Sequence, residues 1–291
     1  MHDNILVPNQ ISSTPAKMQT TTPQVKKIKS CVFCKKSAPE VKMTREHVLR
    51  AAFVKLLPGC TGTVLDQLTF DRNTAEPTHK KKRIPQSSYN FTVNDVCKIC
   101  NEGWLNVKVE IAAEKFLFPL ILGNEIELPK QATDILALWA AKTAVVRSLI
   151  DAKPFAVPPE HFSWIKENLT PPPSTFVWLG RAEFTPYSWT RQRKFILQHD
   201  ENFARAHMTT IVIGHVAFYI LGCGNNFWEE DFMSTISYLN GHPIFQIWPS
   251  TNATHFNKLP AFGRAKIKDL SSTRLNSLGM PSTETLQAIK D

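Results

Sequence analysis

Six cysteines occur among the 291 residues, and four of them form two Cys-x-x-Cys pairs, Cys31/Cys34 and Cys97/Cys100, while Cys60 and Cys223 stand alone. A two-residue spacer lets both sulfurs of a pair reach one ion, and two such pairs supply four thiolates at the corners of a tetrahedron, the donor set of Zn2+ with bonds of about 2.3 Å. In a reducing compartment this spacing argues for metal before disulfide. The pairs lie 66 positions apart, so the intervening chain has to loop out. A zinc ion held by four cysteines has no open coordination position; such a site holds structure and does not catalyse. The residues beside the pairs widen the chemistry. Thr44-Arg45-Glu46-His47-Val48 follows the first pair, and the second reads Val96-Cys97-Lys98-Ile99-Cys100-Asn101-Glu102-Gly103-Trp104.

An acidic residue directly before a histidine, together with a Cys-x-x-Cys followed at once by Asn and an amphipathic helix, resembles the zinc-stabilised branch of the His-Asn-His (HNH) endonucleases. The match spans Cys31 to about Glu110. The resemblance implies a ββα-metal finger: a hairpin presenting Glu46 and His47, then a helix whose first turn presents Asn101. It implies DNA as the partner and phosphodiester hydrolysis as the reaction, in phage defence or a mobile element. In that arrangement His47 is the general base, since an imidazole with a pKa near roughly 6.5 takes a proton from water at neutral pH. The Glu46 carboxylate and the Asn101 amide oxygen are hard ligands for a catalytic Mg2+ or Mn2+ in addition to the zinc. The middle Asn of the family falls here on Thr92, with Asn90 and Asn94 on either side. Asn94 is the candidate for that role, because an irregular strand would turn it inward. Asn101 also has the chemistry of a helix N-cap, compatible with metal ligation. A catalytically inactive, zinc-stabilised nucleic-acid-binding or scaffold module is the competing reading. Nothing in the chain reads a base or a 2′-hydroxyl, so RNA stands beside DNA as a partner.

These side chains need elements to position them. Residues 1–30, rich in Thr, Ser, Gln, Pro and Lys, read as a disordered basic arm. The knuckled unit runs over 31–124, with an irregular surface loop inserted at about 58–88. That loop carries Lys80, Lys81, Lys82 and Arg83, which read either as a solvated charge run or as phosphate contacts. Helical spacing of Val109, Ala112, Ala113, Phe116, Leu117 and Leu120 predicts a helix over 105–122 that Gly123 ends. A second helix is expected from about Gln131 to Asp151, with Lys142 the one charged member of its repeating stripe. Pro158-Pro159 opens a third, which Pro171-Pro172-Pro173 terminates. Strand-like runs follow at Thr175–Leu179, Lys194–Gln198, Thr209–Leu221 and Ile244–Trp248. The expected fold class is therefore α+β: a zinc-stabilised finger, then a helix-first, sheet-after region over 125–291 of unread role. Its six histidines show no ligand spacing and read as surface or satisfied core residues, and Cys60 and Cys223 as small apolar side chains.

Composition sets the frame. Hydrophobic residues make up 43% and charged residues 20%, which excludes a wholly disordered or fibrous protein. The net charge is +9. Residues 1–130 hold 19 basic and 12 acidic side chains, the remainder 15 and 13, so +7 of the surplus lies with the knuckles. That surplus suits a polyanionic partner. No apolar run approaches the roughly 18 residues of a membrane span, and Met1 to Ser30 lacks a secretory apolar stretch. The expectation is a soluble, cytoplasmic protein without a membrane partner; the oligomeric state is not legible.

Overall fold

The computed structural model describes residues 29–57, 63–70, 77–84, 88–150, 157–199, 202–224, 229–250 and 252–271. Nearly all of the expected arm, and Cys60, lie outside these residues. The fold is mixed α plus β. Its backbone is a sheet built on two long antiparallel strands, β6 (Thr175–His199) and β7 (Asn202–Cys223). Strand β8 (Phe245–Trp248) pairs antiparallel with β6, and β10 (Ala261–Phe262) pairs with it in parallel, while two short strands, β5 (Glu127–Leu128) and β9 (Thr254–His255), pair with each other. The runs expected as separate strands at 175–179 and 194–198 belong to one strand, β6. Gly180 and Pro186 do not break it, because its pairing with β7 shifts register between Arg181 and Thr185 and again between Thr185 and Trp189. Such bulges bend a strand and raise its local twist, which curls the sheet.

Alternation along the strands sorts side chains to two faces. Val177, Leu179, Ile211, Ile213, Phe218 and Ile220 join one buried cluster; Phe176, Trp178, Val212, Tyr219 and Leu221 join another. Ile236 and Leu239 of α5 (Glu229–Asn240) and Ile267 and Leu270 of α6 (Arg264–Ser271) complete the second. The first is completed by α2 (Ile111–Leu122) and α3 (Lys130–Ser148), making three layers. Gly123 ends α2 in the left-handed conformation (φ 78°), as the sequence predicts. Close by, Gly214 of β7 has φ +56°, and a Cβ there would lie 2.3 Å from the Ile121 carbonyl oxygen. Only glycine allows the end of α2 to approach the sheet so closely. The third expected helix is α4 (Pro159–Asn168), closed by Leu169 in the left-handed conformation before the prolines.

The knuckled unit contributes β1 (Met43–His47) and β4 (Thr92–Cys97), an antiparallel pair, and then a helix beginning at α1 (Lys98–Cys100). That helix continues as a wide π-wound turn over Asn101–Glu110, kinked at Gly103, and runs into α2. It therefore starts seven residues before the helix expected over 105–122. The core is continuous across residue 124: Phe33, Phe53, Tyr89, Val93 and Leu105 share the cluster of α3 and the sheet. Edge-to-face ring contacts mark the route, Trp104 to Phe33 (5.2 Å), Phe33 to Phe162 (5.7 Å) and Phe53 to Trp139 (6.1 Å).

The stretch expected as an irregular loop at 58–88 is a correction. It carries two strands, β2 (Thr63–Phe70) and β3 (Pro77–Ile84), paired in unbroken antiparallel register from Thr63↔Ile84 to Phe70↔Pro77. The basic run of β3 has low strand propensity, and pairing with the Thr-, Val- and Leu-containing β2 decides its conformation.

Candidate functional site

The first knuckle is a tight turn. Cys31 N–H donates to the Lys36 carbonyl (2.8 Å), Lys35 N–H donates to the Cys31 carbonyl (2.9 Å), and Lys35 adopts φ 63°. The second knuckle spans the end of β4 and the first turn of the helix, so its spacer is helical and not a loop. The Cys97 N–H donates to Cys31 Sγ (3.4 Å), tying one knuckle to the other. Ligand atoms of Cys31, Cys34, Cys97 and Cys100 all lie within 4.8 Å of one another, with Cys34 Sγ 3.7 Å from Cys97 Sγ. A tetrahedron with bonds of 2.3 Å has edges of about 3.8 Å, so the cluster is able to hold a metal ion such as Zn2+. The thiols already divide their protons unequally. The Cys100 thiol donates to Cys31 and lowers its pKa to about 4 against the effect of burial, helped by the Cys34, Cys97 and Phe33 backbone. Cys100, on the donating side of that bond, is pushed up, and burial raises Cys97. A bound cation would stabilise all four as thiolates.

The antiparallel pair β1–β4 sits on this cluster; it is not the expected hairpin, since β2 and β3 lie between its strands in the chain. Its register pairs Met43↔Cys97, Thr44↔Val96, Glu46↔Val93 and His47↔Thr92, with an irregularity between Thr44 and Glu46. Two residues of β4, Asn94 and Asp95, thus face one of β1, Arg45. Asp95 is used by the first knuckle: its carbonyl accepts from Val32 N–H (2.9 Å) and its carboxylate pairs with Lys29 (3.1 Å). Asn94 lies in the bulge and is exposed. The residue opposite His47 is Thr92. His47 itself is half-buried. Asn101 donates from Nδ2 to the Arg45 carbonyl (2.9 Å), which docks the helix onset onto β1 one residue before Glu46. Among the described residues its Oδ1, an acceptor, has no hydrogen-bond partner. Asn101 is not at the N-cap position, because the helix starts at Lys98 with Cys97 as its N-cap.

Neighbouring residues of a strand point to opposite faces, and here Glu46 takes the inner one. It is 6% exposed, and its Oε1 accepts from Lys142 Nζ (3.0 Å). Lys142, on α3, has no exposed surface and also pairs with Glu110. The second oxygen of Glu110 accepts from Trp139 Nε1 (3.1 Å). Burial works to lower the Lys142 pKa, but the two carboxylates, Glu110 before Glu46, outweigh it and hold the ammonium above its ordinary range. Arg50, just past β1, donates to Asn106 Oδ1 (2.8 Å) and pairs with Glu114, binding the end of β1 to the helix again.

No family model, curated protein or solved structure matches the chain.

Sequence reasoning brought the four cysteines, Glu46, His47 and Asn101 to one unit. It did not find Glu110 or the Glu46–Lys142 pair. One signal pointed toward them: Lys142 is the single charge in an apolar helical stripe. Lys80, Lys81, Lys82 and Arg83 occupy β3, across from Gln67, Asp66, Leu65 and Val64. Among the described residues no helix is long and apolar enough to cross a membrane.

Proposed function

We propose that the chain is a metal-dependent, HNH-like endonuclease that hydrolyses phosphodiester bonds in DNA, with Zn2+ on the four cysteines holding a ββα finger made of β1, β4 and the helix from Lys98. The observation that carries this reading is the Asn101 Nδ2–Arg45 carbonyl bond, which sets the start of the helix beside the strand that bears Glu46 and His47. His47 takes a proton from water at a ring nitrogen while the water oxygen bonds to phosphorus. The bond from phosphorus to the leaving sugar oxygen breaks, and that oxygen takes up a proton. Thr92, opposite His47, replaces the middle Asn as the group beside the base. The Glu46 and Asn101 oxygens would hold Mg2+ or Mn2+, and such an ion would stabilise charge growing on the phosphate and the leaving oxygen. The +7 surplus over residues 1–130, Lys80 to Arg83 included, favours approach of a polyanion.

The test is nicking of supercoiled plasmid with Mg2+ or Mn2+ by the zinc-loaded chain and by His47→Ala. The expected loss is about 100- to 10,000-fold. Equal nicking by both removes His47 from the mechanism, and no nicking by the wild type under either ion ends the nuclease reading. One observation favours a second reading, that Lys142 occupies one oxygen of Glu46. A zinc-stabilised nucleic-acid-binding module needs no free carboxylate there, and it gives salt-sensitive DNA binding without cleavage.

A further inference from the structure

Lys142 sits among Leu138, Trp139, Val145 and Val146 on a helix whose neighbouring positions are apolar, and none of its surface is exposed. An ammonium and two carboxylates taken out of water are expensive to bury, and well-packed apolar residues hold elements together at least as well. Joining β1 to α3 therefore does not by itself explain the triad. Its composition is also unbalanced, since two carboxylates against one ammonium leave a surplus negative charge inside the protein. The distribution of bonds is specific. Lys142 takes Oε1 of Glu46 and Oε1 of Glu110, and Trp139 takes Oε2 of Glu110. Three of the four carboxylate oxygens thus have a protein donor. The fourth, Glu46 Oε2, has no hydrogen-bond partner among the described residues.

We infer that Lys142 and Glu110 are positioning residues, which fix the Glu46 carboxylate by one oxygen so that the other is presented to a divalent cation. The inference rests on Glu46 being a ligand in the proposed nuclease. Carboxylates that bind metals are themselves held by outer hydrogen bonds, and here Lys142 on α3 supplies one to Glu46 while Glu110, in the turn before α2, holds Lys142 in turn. The surplus charge of the triad is what an incoming cation offsets.

The experiment is a titration of the zinc-loaded full chain with Mn2+, following the free ion by electron paramagnetic resonance, with zinc content and melting temperature recorded for each variant. The decisive variant is Glu110→Gln with Lys142→Met. It removes one negative and one positive charge, so the net charge around Glu46 is that of the wild type and only the positioning is lost. Mn2+ affinity is expected to fall about 10- to 100-fold. Affinity equal to or above the wild type in this folded variant overturns the inference, because a purely structural triad moves the melting temperature and not the Mn2+ affinity. Glu46→Gln is expected to abolish the binding; unchanged binding in that variant, or none in the wild type, also overturns it. If the double variant does not fold, Glu110→Gln is compared with Glu114→Gln, which removes the same charge but no bond to Lys142; an equal fall in Mn2+ affinity in the two overturns the inference. Plasmid nicking measured in parallel separates the two claims. Mn2+ binding that depends on the triad, without nicking, leaves the inference standing and removes the nuclease.

Discussion

His207 is 1% exposed, with Nδ1 2.9 Å from the Thr209 hydroxyl and its ring 6.2 Å from that of His161, whose Nε2 donates to the Cys223 carbonyl (2.8 Å). Burial first, and His161 second, push His207 down to about 3; burial likewise lowers His161. Both are neutral in the fold at neutral pH, while the unfolded chain protonates its histidines below about 6.5. The unfolded state then binds more protons, so stability falls as pH drops from about 6.5 toward the folded-state values. Each such histidine adds a slope of up to about 1.4 kcal/mol per pH unit in that window. Urea unfolding between pH 6.5 and 5 measures it: His207→Gln is expected to flatten the decline by up to that amount, and an unchanged slope contradicts the assignment. Their scatter in sequence hid the pair, which arises because β7 and α4 carry them to one place.

At the scale of elements, the basic run Lys80 to Arg83 gains its meaning from pairing. As a loop it would be a diffuse charge; as β3 of a two-stranded ribbon with β2 its positions alternate between two faces, Lys80 and Lys82 on one and Lys81 and Arg83 on the other. A ribbon of two strands fits a duplex groove, where each phosphate neutralised steepens the salt dependence of binding by about 0.9 in log–log slope. Replacing Lys80, Lys82 and Arg83 with Ala is expected to lower that slope by one to three units in DNA-binding titrations over 50–200 mM salt, roughly equally across sequences. A slope that does not change takes the ribbon out of the interface. The β1–β4 pair teaches the complementary lesson. A one-residue bulge at Asn94 and Asp95 decides that Thr92 stands opposite His47, and bulge positions are not written in residue types.

Across the whole molecule, the knuckles and the large sheet share one core through Phe33, Phe53, Trp139 and Phe218. Structural zinc in small finger peptides contributes apparent binding energies of about 10–16 kcal/mol, and zinc on this cluster would tie such energy to elements continuous with the rest. One zinc per chain is expected on metal analysis. Removing it with a chelator is expected to lower the melting temperature of a single transition, followed by circular dichroism and tryptophan fluorescence together. Two separate transitions would mean that the finger unfolds independently of the sheet. Zinc content unchanged in Cys31→Ser and Cys97→Ser together would remove the cluster as its site.

The sequence by itself determined the groups available and much of their local setting. Two spacers of two residues specify a pair of knuckles, a period near 3.6 specifies α2 and α3, and Gly123 and the triple proline specify where helices stop. These are short-range effects, fixed by sterics and by which atoms neighbouring residues can reach. Tertiary structure decided the rest. It joined two expected strands into β6, made strands of the basic stretch, placed Thr92 and not Asn94 across from His47, and turned Glu46 inward onto Lys142 and Glu110, which lie 96 and 64 positions further along the chain. Strand register, bulges and buried ion pairs are set by what else must fill the same volume and satisfy the same polar atoms. Residues far apart in the chain settle those questions together, so no local pattern announces them.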